Sequence, residues 1–334
     1  MSIHIRIVAA AVSFIVSLLL GKLLIPILHK LKYGQTILDI GPNWHKSKQG
    51  TPTMGGLMFV AAVIIAILVC VLSVVISGEN YNLIELKKVL AGLIMALGFG
   101  FVGFVDDYIK VVKKRNLGLS VMGKIVMQVV IIAAYFWTMI ILGETQTGIV
   151  FPFIGTLNMS PFVYYPIMGI AIIYIVNAVN LTDGVDGLCG SITFVYASVF
   201  MFIASIIGNY WHNVYAVCLA AALLGFLIWN LHPAKIFMGD TGSMFLGGSV
   251  VALGFGTGLP ILILIVGIVY VIEALTVVIQ VFYFKLTKGK RLFKMTPIHH
   301  HFELSGWSEN KIVVVFSIIT LIAGTIGILC SFGA

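Results

Sequence analysis

Two adjacent carboxylates at the end of a strongly apolar segment are the first residues of this sequence whose placement suggests chemistry. Asp106 and Asp107 follow the apolar run 89–105, and Lys110 comes shortly after them. One Asp at the centre of a membrane helix costs roughly 2.5–3.5 kcal/mol even on a lenient insertion scale, so two in succession are not expected to face lipid. They must lie at the water boundary, in a cavity or against a cation. An interfacial helix end with an ion pair to Lys110, on the same helix face, would also explain them.

A second group of polar residues interrupts the fifth apolar run. Asn177, Asn180 and Gly184 recur at helical spacing and would line one face of a helix. Two Asp-Gly pairs, beginning at Asp183 and Asp186, then break that helix. The pattern lacks most of the oxygen ligands of a calcium loop. A plain turn with two solvated carboxylates is one explanation, but the asparagines require hydrogen-bond partners because buried amides are rarely left unpaired.

A glycine-rich turn after the seventh apolar run carries another carboxylate. It has the sequence Gly-Asp-Thr-Gly-Ser at residues 239–243, with Asp240 as its acid. Capping of the next helix accounts for one of Asp240, Thr241 or Ser243. Such a turn also presents free backbone N–H groups beside a carboxylate at a helix N-terminus, where a phosphate and its metal ion are commonly bound.

Lysines and histidines accompany these acids. The start of a helix explains the segment before the second apolar run but leaves Lys48 unexplained. Lys48 lies just before that start, where an anion could also bind. The basic loop 110–124 could serve only as an orientation signal or as a patch for lipid headgroups. His299, His300 and His301 are consecutive, and adjacent side chains on a regular element do not converge. Hydrogen bonding or phosphate contact is therefore favoured over a zinc site.

Composition assigns all of these residues to a membrane protein. Of the 334 residues, 60% are hydrophobic and 10% are charged, against about 25% charged in a soluble domain. A membrane-spanning helix needs about 20 apolar residues. We therefore predict an all-α polytopic membrane protein, a single domain over residues 1–334, with a small extracytoplasmic hairpin within 143–161. The ten predicted spans are 5–28, 53–77, 89–107, 123–142, 161–178, 190–208, 213–230, 243–257, 259–284 and 311–332.

The basic residues give the orientation. Most of the 20 Lys and Arg residues fall in the loops that follow odd-numbered spans, and cytoplasmic loops carry the excess of positive charge. Both termini are therefore expected outside the cell. Mg²⁺ prefers one or two carboxylates together with phosphate oxygens, so acids concentrated beside lysines on one face suit a magnesium–phosphate site. The acids on these cytoplasmic connections are Asp106, Asp107, Asp183, Asp186 and Asp240.

These motifs resemble those of a known superfamily. Asp-Asp-x-x-Lys at 106–110, Asn-x-x-Asn-x-x-Asp-Gly-x-Asp-Gly at 177–187 and Gly-Asp-Thr-Gly-Ser at 239–243 are similar to motifs of the polyprenyl-phosphate N-acetylhexosamine-1-phosphate transferases. Within that superfamily, Thr-Pro-Thr-Met-Gly-Gly at 51–56 and His-His-His-Phe-Glu at 299–303 resemble the phospho-N-acetylmuramoyl-pentapeptide-transferases. The resemblance covers nearly the whole chain and implies the same ten-helix topology.

The resemblance also implies a reaction. UDP-N-acetylmuramoyl-pentapeptide and undecaprenyl phosphate would give lipid I and UMP in peptidoglycan synthesis, with Mg²⁺ as cofactor. The site would lie on the cytoplasmic face of the bacterial plasma membrane. A homodimer is implied, and no nucleic-acid partner is expected. Asp240 would be the principal metal ligand, while Asp106 and Asp107 would act on the lipid phosphate or the metal. Asp106 as general base and Asp107 as nucleophile both stay open.

The other site residues are assigned by the same resemblance. His299 would be catalytic, and the remaining residues would bind substrate. Lysines would hold phosphates, the amides and acids would form a nucleoside pocket, and the histidines would face the sugar phosphate. The substrate-binding set is Lys48, Lys110 and Lys124 for phosphates; Asn180, Asp183, Gly184, Asp186, Asn230 and Phe237 for the nucleoside, with Gln280 nearby; His300 for the sugar phosphate; and Asn177 and His301 without separate roles.

Two other functions remain open. A sister transferase that uses UDP-N-acetylglucosamine would share the aspartate motifs, so only the histidine segment and a substrate-swap assay discriminate. A secondary transporter would use the carboxylates as a proton or ion relay. Transporters place such groups near the membrane midplane, usually with internal repeats, whereas these acids cluster at one boundary. A counterflow uptake assay in vesicles would test for transport.

Overall fold

A computed structural model describes residues 3–30, 48–112 and 118–333, which are mostly helical. Residues 31–47, and residues 113–117 of the basic loop 110–124, lie outside the described residues. A short antiparallel hairpin, β1 (Gly148–Phe151) and β2 (Gly155–Asn158), is present where the sequence predicts one. The helices are α1 Ile3–Lys30, α2 Gly56–Ser77, α3 Leu83–Val112, α4 Val121–Ile141, α5 Pro161–Leu181, α6 Leu188–Ile206, α7 Tyr210–Asn230, α8 Gly239–Gly256, α9 Ile261–Val266, α10 Ile268–Leu286, α11 Ile298–Glu303 and α12 Glu309–Ser331.

The helices confirm the predicted all-α polytopic membrane protein. In the described parts of the chain, nine of them are long and apolar enough to cross a membrane, namely all except α8, α9 and α11. Helix α8 corresponds to the eighth predicted span and has 18 residues. Nearly all of its side chains are buried because α2, α3, α5 and α6 pack around it. Protein therefore replaces lipid around α8.

The ninth predicted span, 259–284, is not one continuous helix. It is divided at Gly267 into α9 and α10. Gly267 has backbone angles of φ −88° and ψ 21°, outside the helical range, and its N–H donates to the Ile263 carbonyl at 2.9 Å. Glycine is among the residues least favourable to a helix interior. Hydropathy alone could not reveal the break, because both sides of it are equally apolar.

Helices α3 and α8 pack closely together, and this contact positions the acids. A β-carbon on Gly103 would overlap the backbone oxygen of Asp240, so only glycine permits this approach. Helix α3 continues beyond the Asp106–Asp107 pair to Val112. The C-terminal end of α3 therefore lies against the N-terminus of α8. The hairpin lies at the other end of α4, about 30 Å from the acids at 1.5 Å per helical residue.

Candidate functional site

Asp107 binds the N-terminus of α8. Its Oδ2 accepts hydrogen bonds from Thr241 N at 2.9 Å and Thr241 Oγ1 at 2.7 Å, and its Oδ1 accepts one from Asp240 N at 3.2 Å. The first N–H groups of a helix lack partners within the helix and favour negative charge. Asp107 is buried, and both of its oxygens are engaged. It therefore fixes the position of the segment that carries Asp240.

Two lysines join Asp106 to Asp240. Lys110 Nζ lies 2.6 Å from Asp106 Oδ2 and 3.0 Å from Asp240 Oδ2. Lys124 Nζ, from α4, lies 3.1 Å from Asp106 Oδ1 and 3.0 Å from the same Asp240 oxygen. Asp106 is buried, whereas the Asp240 side chain is 20% exposed. We call Asp106, Asp107, Asp240, Lys110 and Lys124 the acid–lysine cluster.

Helix α5 closes another side of this cluster. Asn180 Nδ2 donates to Asp240 Oδ1 at 3.0 Å and to Ser243 Oγ at 2.8 Å. Asn177, one turn earlier, donates from Nδ2 to Gln128 Oε1 of α4 at 3.0 Å. The expected partners of the two asparagines are therefore present. Asn180 contacts the acid–lysine cluster, while Asn177 joins α5 to α4.

Asp183 lies in the turn after α5 and interacts with three other carboxylates. Burial raises the pKa of Asp183 well above its ordinary value, and the charges of Asp240, Asp107 and Asp186 raise it further. Together with Asp183, the acid–lysine cluster has four carboxylates and two ammonium groups. This local excess of negative charge favours a proton on Asp183 or a bound cation.

Lys48 belongs to a second group of charges. Its Nζ lies 2.8 Å from Asp186 Oδ1 and 2.7 Å from Glu309 Oε2. His232 Nδ1 lies 3.1 Å from Asp186 Oδ2 and 3.5 Å from Glu309 Oε1. Asp186, His232 and Glu309 are close enough to hold a metal ion. However, the Lys48 ammonium already contacts both acids and occupies the space between them, so we assign no metal to them.

The turn after α7 completes this second group. Asn230 Oδ1 accepts from Gly187 N at 3.1 Å, and its Nδ2 donates to the Ile236 carbonyl at 2.8 Å. Phe237 N donates to the Pro52 carbonyl at 2.8 Å, so its segment lies beside the one that follows Lys48. The structure thus brings Lys48, Asp186, Asn230 and Phe237 together, from three separate parts of the sequence.

The three consecutive histidines have different surroundings. His299 is fully buried, with Nδ1 3.1 Å from Glu273 Oε2. His300 Nδ1 lies 2.6 Å from Glu303 Oε2, and the His300 side chain is 15% exposed. His301 Nδ1 accepts from Lys294 N at 3.1 Å. The His299 and His300 rings contact each other, with centroids 4.1 Å apart, but the three side chains do not meet at one point. The metal-binding group found in the described residues contains none of them.

Gln280 holds a loop. Its Oε1 accepts from Leu292 N and Phe293 N, each at 3.0 Å, and its Nε2 donates to the Phe293 carbonyl at 3.1 Å. Both ends of the amide are therefore engaged in holding the segment that leads to α11. These contacts give Gln280 a structural role that its position in the sequence did not indicate.

Five contacting residues were missed by sequence reasoning. Thr241 and Ser243 had been considered only as helix caps. Glu273 is the only acid in the apolar run 259–284, and a lone ionisable residue in a membrane segment is a signal of function that could have identified it. No comparable signal marked the other two, His232 and Glu309.

Comparisons with known proteins agree with these motifs. Residues 89–258 match the family model described as glycosyl transferase family 4, and residues 48–60 match phospho-N-acetylmuramoyl-pentapeptide-transferase signature 1. Relatives that carry the name phospho-N-acetylmuramoyl-pentapeptide-transferase include those from three bacteria. The one from Thermoanaerobacter sp. (strain X514) is 44% identical over 321 residues, covering 95% of this chain and 96% of the relative. That from Clostridioides difficile (strain 630) is 44% identical over 327 residues, covering 97% of each. That from Pelotomaculum thermopropionicum is 42% identical over 330 residues, covering 96% of each.

Proposed function

Because the chain belongs to the phospho-N-acetylmuramoyl-pentapeptide-transferase family, we propose that it transfers phospho-N-acetylmuramoyl-pentapeptide from UDP to undecaprenyl phosphate. The products are lipid I and UMP, and the pathway is peptidoglycan synthesis. The observation that carries the proposal is the acid–lysine cluster, in which three carboxylates and two lysines from three helices meet beside the N-terminus of α8.

The charges of this cluster suit the attack of one phosphate on another. Such a transfer needs neutralised charge and in-line positioning. Lys110 and Lys124 share one Asp240 oxygen, so each is positioned to contact a phosphate that enters the cluster. A phosphate monoester with a second pKa near 6 is largely dianionic at neutral pH. A strong general base is therefore not required, and Asp106, buried and paired with both lysines, orients them.

Mg²⁺ suits the same residues. Its preferred ligands are carboxylate and phosphate oxygens, and the local excess of negative charge around Asp183 is what a divalent cation would neutralise. Asp240 would hold the ion because it is the partly exposed acid, with Asp106 beside it. The bound ion would stabilise negative charge on the diphosphate. Asp107 has both oxygens engaged by α8, which favours a positioning role over metal ligation or nucleophilic attack.

The second group of charges suits the nucleoside end of the donor. Asp183 interacts electrostatically with both Asp240 and Asp186, so a donor whose diphosphate lies at Asp240 could place its base near Asp186. Lys48 and Phe237 would line that end. We assign this surface to the cytoplasm because the neighbouring loops carry most of the basic residues. The homodimer remains a proposal from the family.

Reconstitution with defined substrates tests the proposed reaction. Purified protein in detergent receives undecaprenyl phosphate, Mg²⁺ and either UDP-N-acetylmuramoyl-pentapeptide or UDP-N-acetylglucosamine. UMP and the lipid product are then quantified. We expect both products with the first donor alone, and almost none from a folded Asp240→Asn variant. Transfer from UDP-N-acetylglucosamine would instead establish the sister activity, and folded wild-type protein inactive with both donors would refute the proposal.

A further inference from the structure

Glu273 is a buried acid inside the membrane-spanning helix α10. Its side chain is 0% exposed, and its Oε1 has no hydrogen-bond partner among the described residues. An ionisable group in such a position destabilises the protein unless it is paired. Its partner is His299 of α11, whose Nδ1 lies 3.1 Å from Glu273 Oε2. The position of Glu273 is therefore best explained by what it does to His299.

The carboxylate fixes how the imidazole is oriented. Because Nδ1 of His299 is directed at Glu273 Oε2, the other ring nitrogen, Nε2, points away from Glu273. That Nε2 atom is buried and lies against Gly184, where a β-carbon would overlap it. Glycine at 184 thus allows the ring to touch the backbone of the turn. The contact connects α10 and α11 to the turn after α5.

The turn in contact with His299 carries Asp183. The charge of this residue interacts with those of Asp240, Asp107 and Asp186. His299 itself is 0% exposed, whereas the neighbouring His300 is 15% exposed. A residue without exposed surface is unsuited to direct contact with substrate. This burial argues against the catalytic role that sequence resemblance suggested for His299.

We propose that Glu273 and His299 are positioning residues, a buried carboxylate–imidazole pair that fixes the Asp183–Gly184 turn where the UDP donor binds. The inference rests on the proposed function, since the donor is the substrate whose binding the turn would control. Glu273 thereby has a role in the site, and His299 positions the turn instead of taking part in the reaction.

Conservative and non-conservative substitutions separate positioning from general stability. Glu273→Gln keeps an oxygen that accepts from Nδ1, so kcat/KM for the donor should stay within about threefold of wild type. Glu273→Leu removes the acceptor and should lower kcat/KM by about 10²-fold, the scale expected for a displaced site. The loss should appear in the KM for the UDP donor, with the KM for undecaprenyl phosphate unchanged.

Glu85 provides a matched control. It lies near the start of α3, at the end of that helix remote from the acid–lysine cluster. It accepts a hydrogen bond from Trp211 N at 2.6 Å and lies 3.9 Å from His212 Nδ1, so it is also an acid beside a buried histidine. Glu85→Leu should change thermal stability without a donor-specific change in KM. Equal effects of Glu85→Leu and Glu273→Leu on both KM values would overturn the inference.

A double substitution tests the contact itself. Gly184→Ala should impair donor binding because its methyl group collides with the imidazole, and His299→Ala should partly relieve that defect by opening space. Strictly additive losses would contradict the contact. Each outcome is interpretable only against active wild-type protein. Inactive wild type refutes the proposed function, whereas active wild type with an unaffected Glu273→Leu variant refutes the positioning pair alone.

Discussion

Gly103 of α3 lies directly against the backbone carbonyl of Asp240 in α8, with no room for a β-carbon between them. This contact allows two buried acids at the end of one helix to meet a third acid at the start of another. The relation makes backbone packing, as well as charge, a requirement for assembly of the site.

Replacing Gly103 by Ala should therefore damage both stability and activity. The added methyl group would force α3 and α8 apart, at a cost of about 1–3 kcal/mol as in other overpacked cores. Thermal unfolding in detergent and UMP release measure the two effects. Gly169→Ala in α5 is the matched control, because its β-carbon would meet Ile132 at an ordinary 3.8 Å. Comparable losses of stability and activity in both variants would show that the close contact at Gly103 is not specifically required.

Removing Lys124 should abolish most of the transfer. Lys124→Ala leaves Asp106 and Asp240 with one shared ammonium instead of two, so an incoming phosphate loses a neutralising charge. By analogy with single charge-stabilising donors, kcat should fall by about 100-fold or more. Steady-state UMP release at saturating donor tests this. Lys235→Ala, whose lysine lies over the Trp229 ring, controls for loss of positive charge and should stay near wild type.

The sequence predicted local relationships well and distant ones poorly. The spacing of Asp106 and Lys110 suggested an ion pair one helical turn apart, and the structure contains it at 2.6 Å. By contrast, the contact between Lys48 and Glu309 joins positions 261 residues apart. Hydropathy and periodicity identify a helix and its faces, but they do not tell which helices become neighbours.

The same limit explains the differences within individual elements. The Gly267 break has only apolar residues immediately on either side of it, so hydropathy could not reveal it. Of the five acids expected together, Asp106, Asp107 and Asp240 lie in one cluster, because each lies beside a helix end that the apolar pattern locates. Asp186 instead pairs with Lys48 in the second group of charges. The hydrogen bonds that engage Asp107 and Gln280 depend on neighbours from distant segments, and a residue type alone does not distinguish a bound amide or acid from an available one.

Asp183 should make the protein less stable as the pH rises. Burial and three neighbouring carboxylates raise its folded-state pKa above the ordinary 3.8. The folded state therefore binds the proton more tightly than the unfolded chain, and the free energy of unfolding falls as pH rises from the unfolded to the folded pKa. Asn cannot ionise, so Asp183→Asn should gain stability relative to wild type across that window and lose transfer activity.

Thermal unfolding of both proteins, from about pH 4 to about pH 8, measures this difference. Asp186→Asn is the comparison, because Asp186 is already paired with Lys48 and its replacement should destabilise. Parallel unfolding profiles for wild type and Asp183→Asn would show that Asp183 does not retain its proton in the folded state.

Lys48 should prevent metal binding at Asp186, His232 and Glu309. These three residues offer ligand atoms within 4.8 Å of one another. However, the Lys48 ammonium bridges the two acids among them, Asp186 and Glu309. Lys48→Met removes that charge while keeping a long side chain. We expect it to lower the free energy of unfolding by up to about 3 kcal/mol, less than a fully buried pair would lose because Lys48 is partly exposed.

Zn²⁺ should then restore stability to the Lys48→Met variant alone. Carboxylate and imidazole are suitable zinc ligands, and zinc at about 100 times its Kd would contribute about 2.7 kcal/mol. Thermal unfolding with and without Zn²⁺ measures the gain in wild type, Lys48→Met and Lys48→Met/His232→Ala. The double variant should lose the gain because one ligand is missing. Equal stabilisation of wild type by Zn²⁺ would mean that Lys48 does not block the site. No gain in Lys48→Met would mean that the three ligands do not bind a metal even without the Lys48 ammonium.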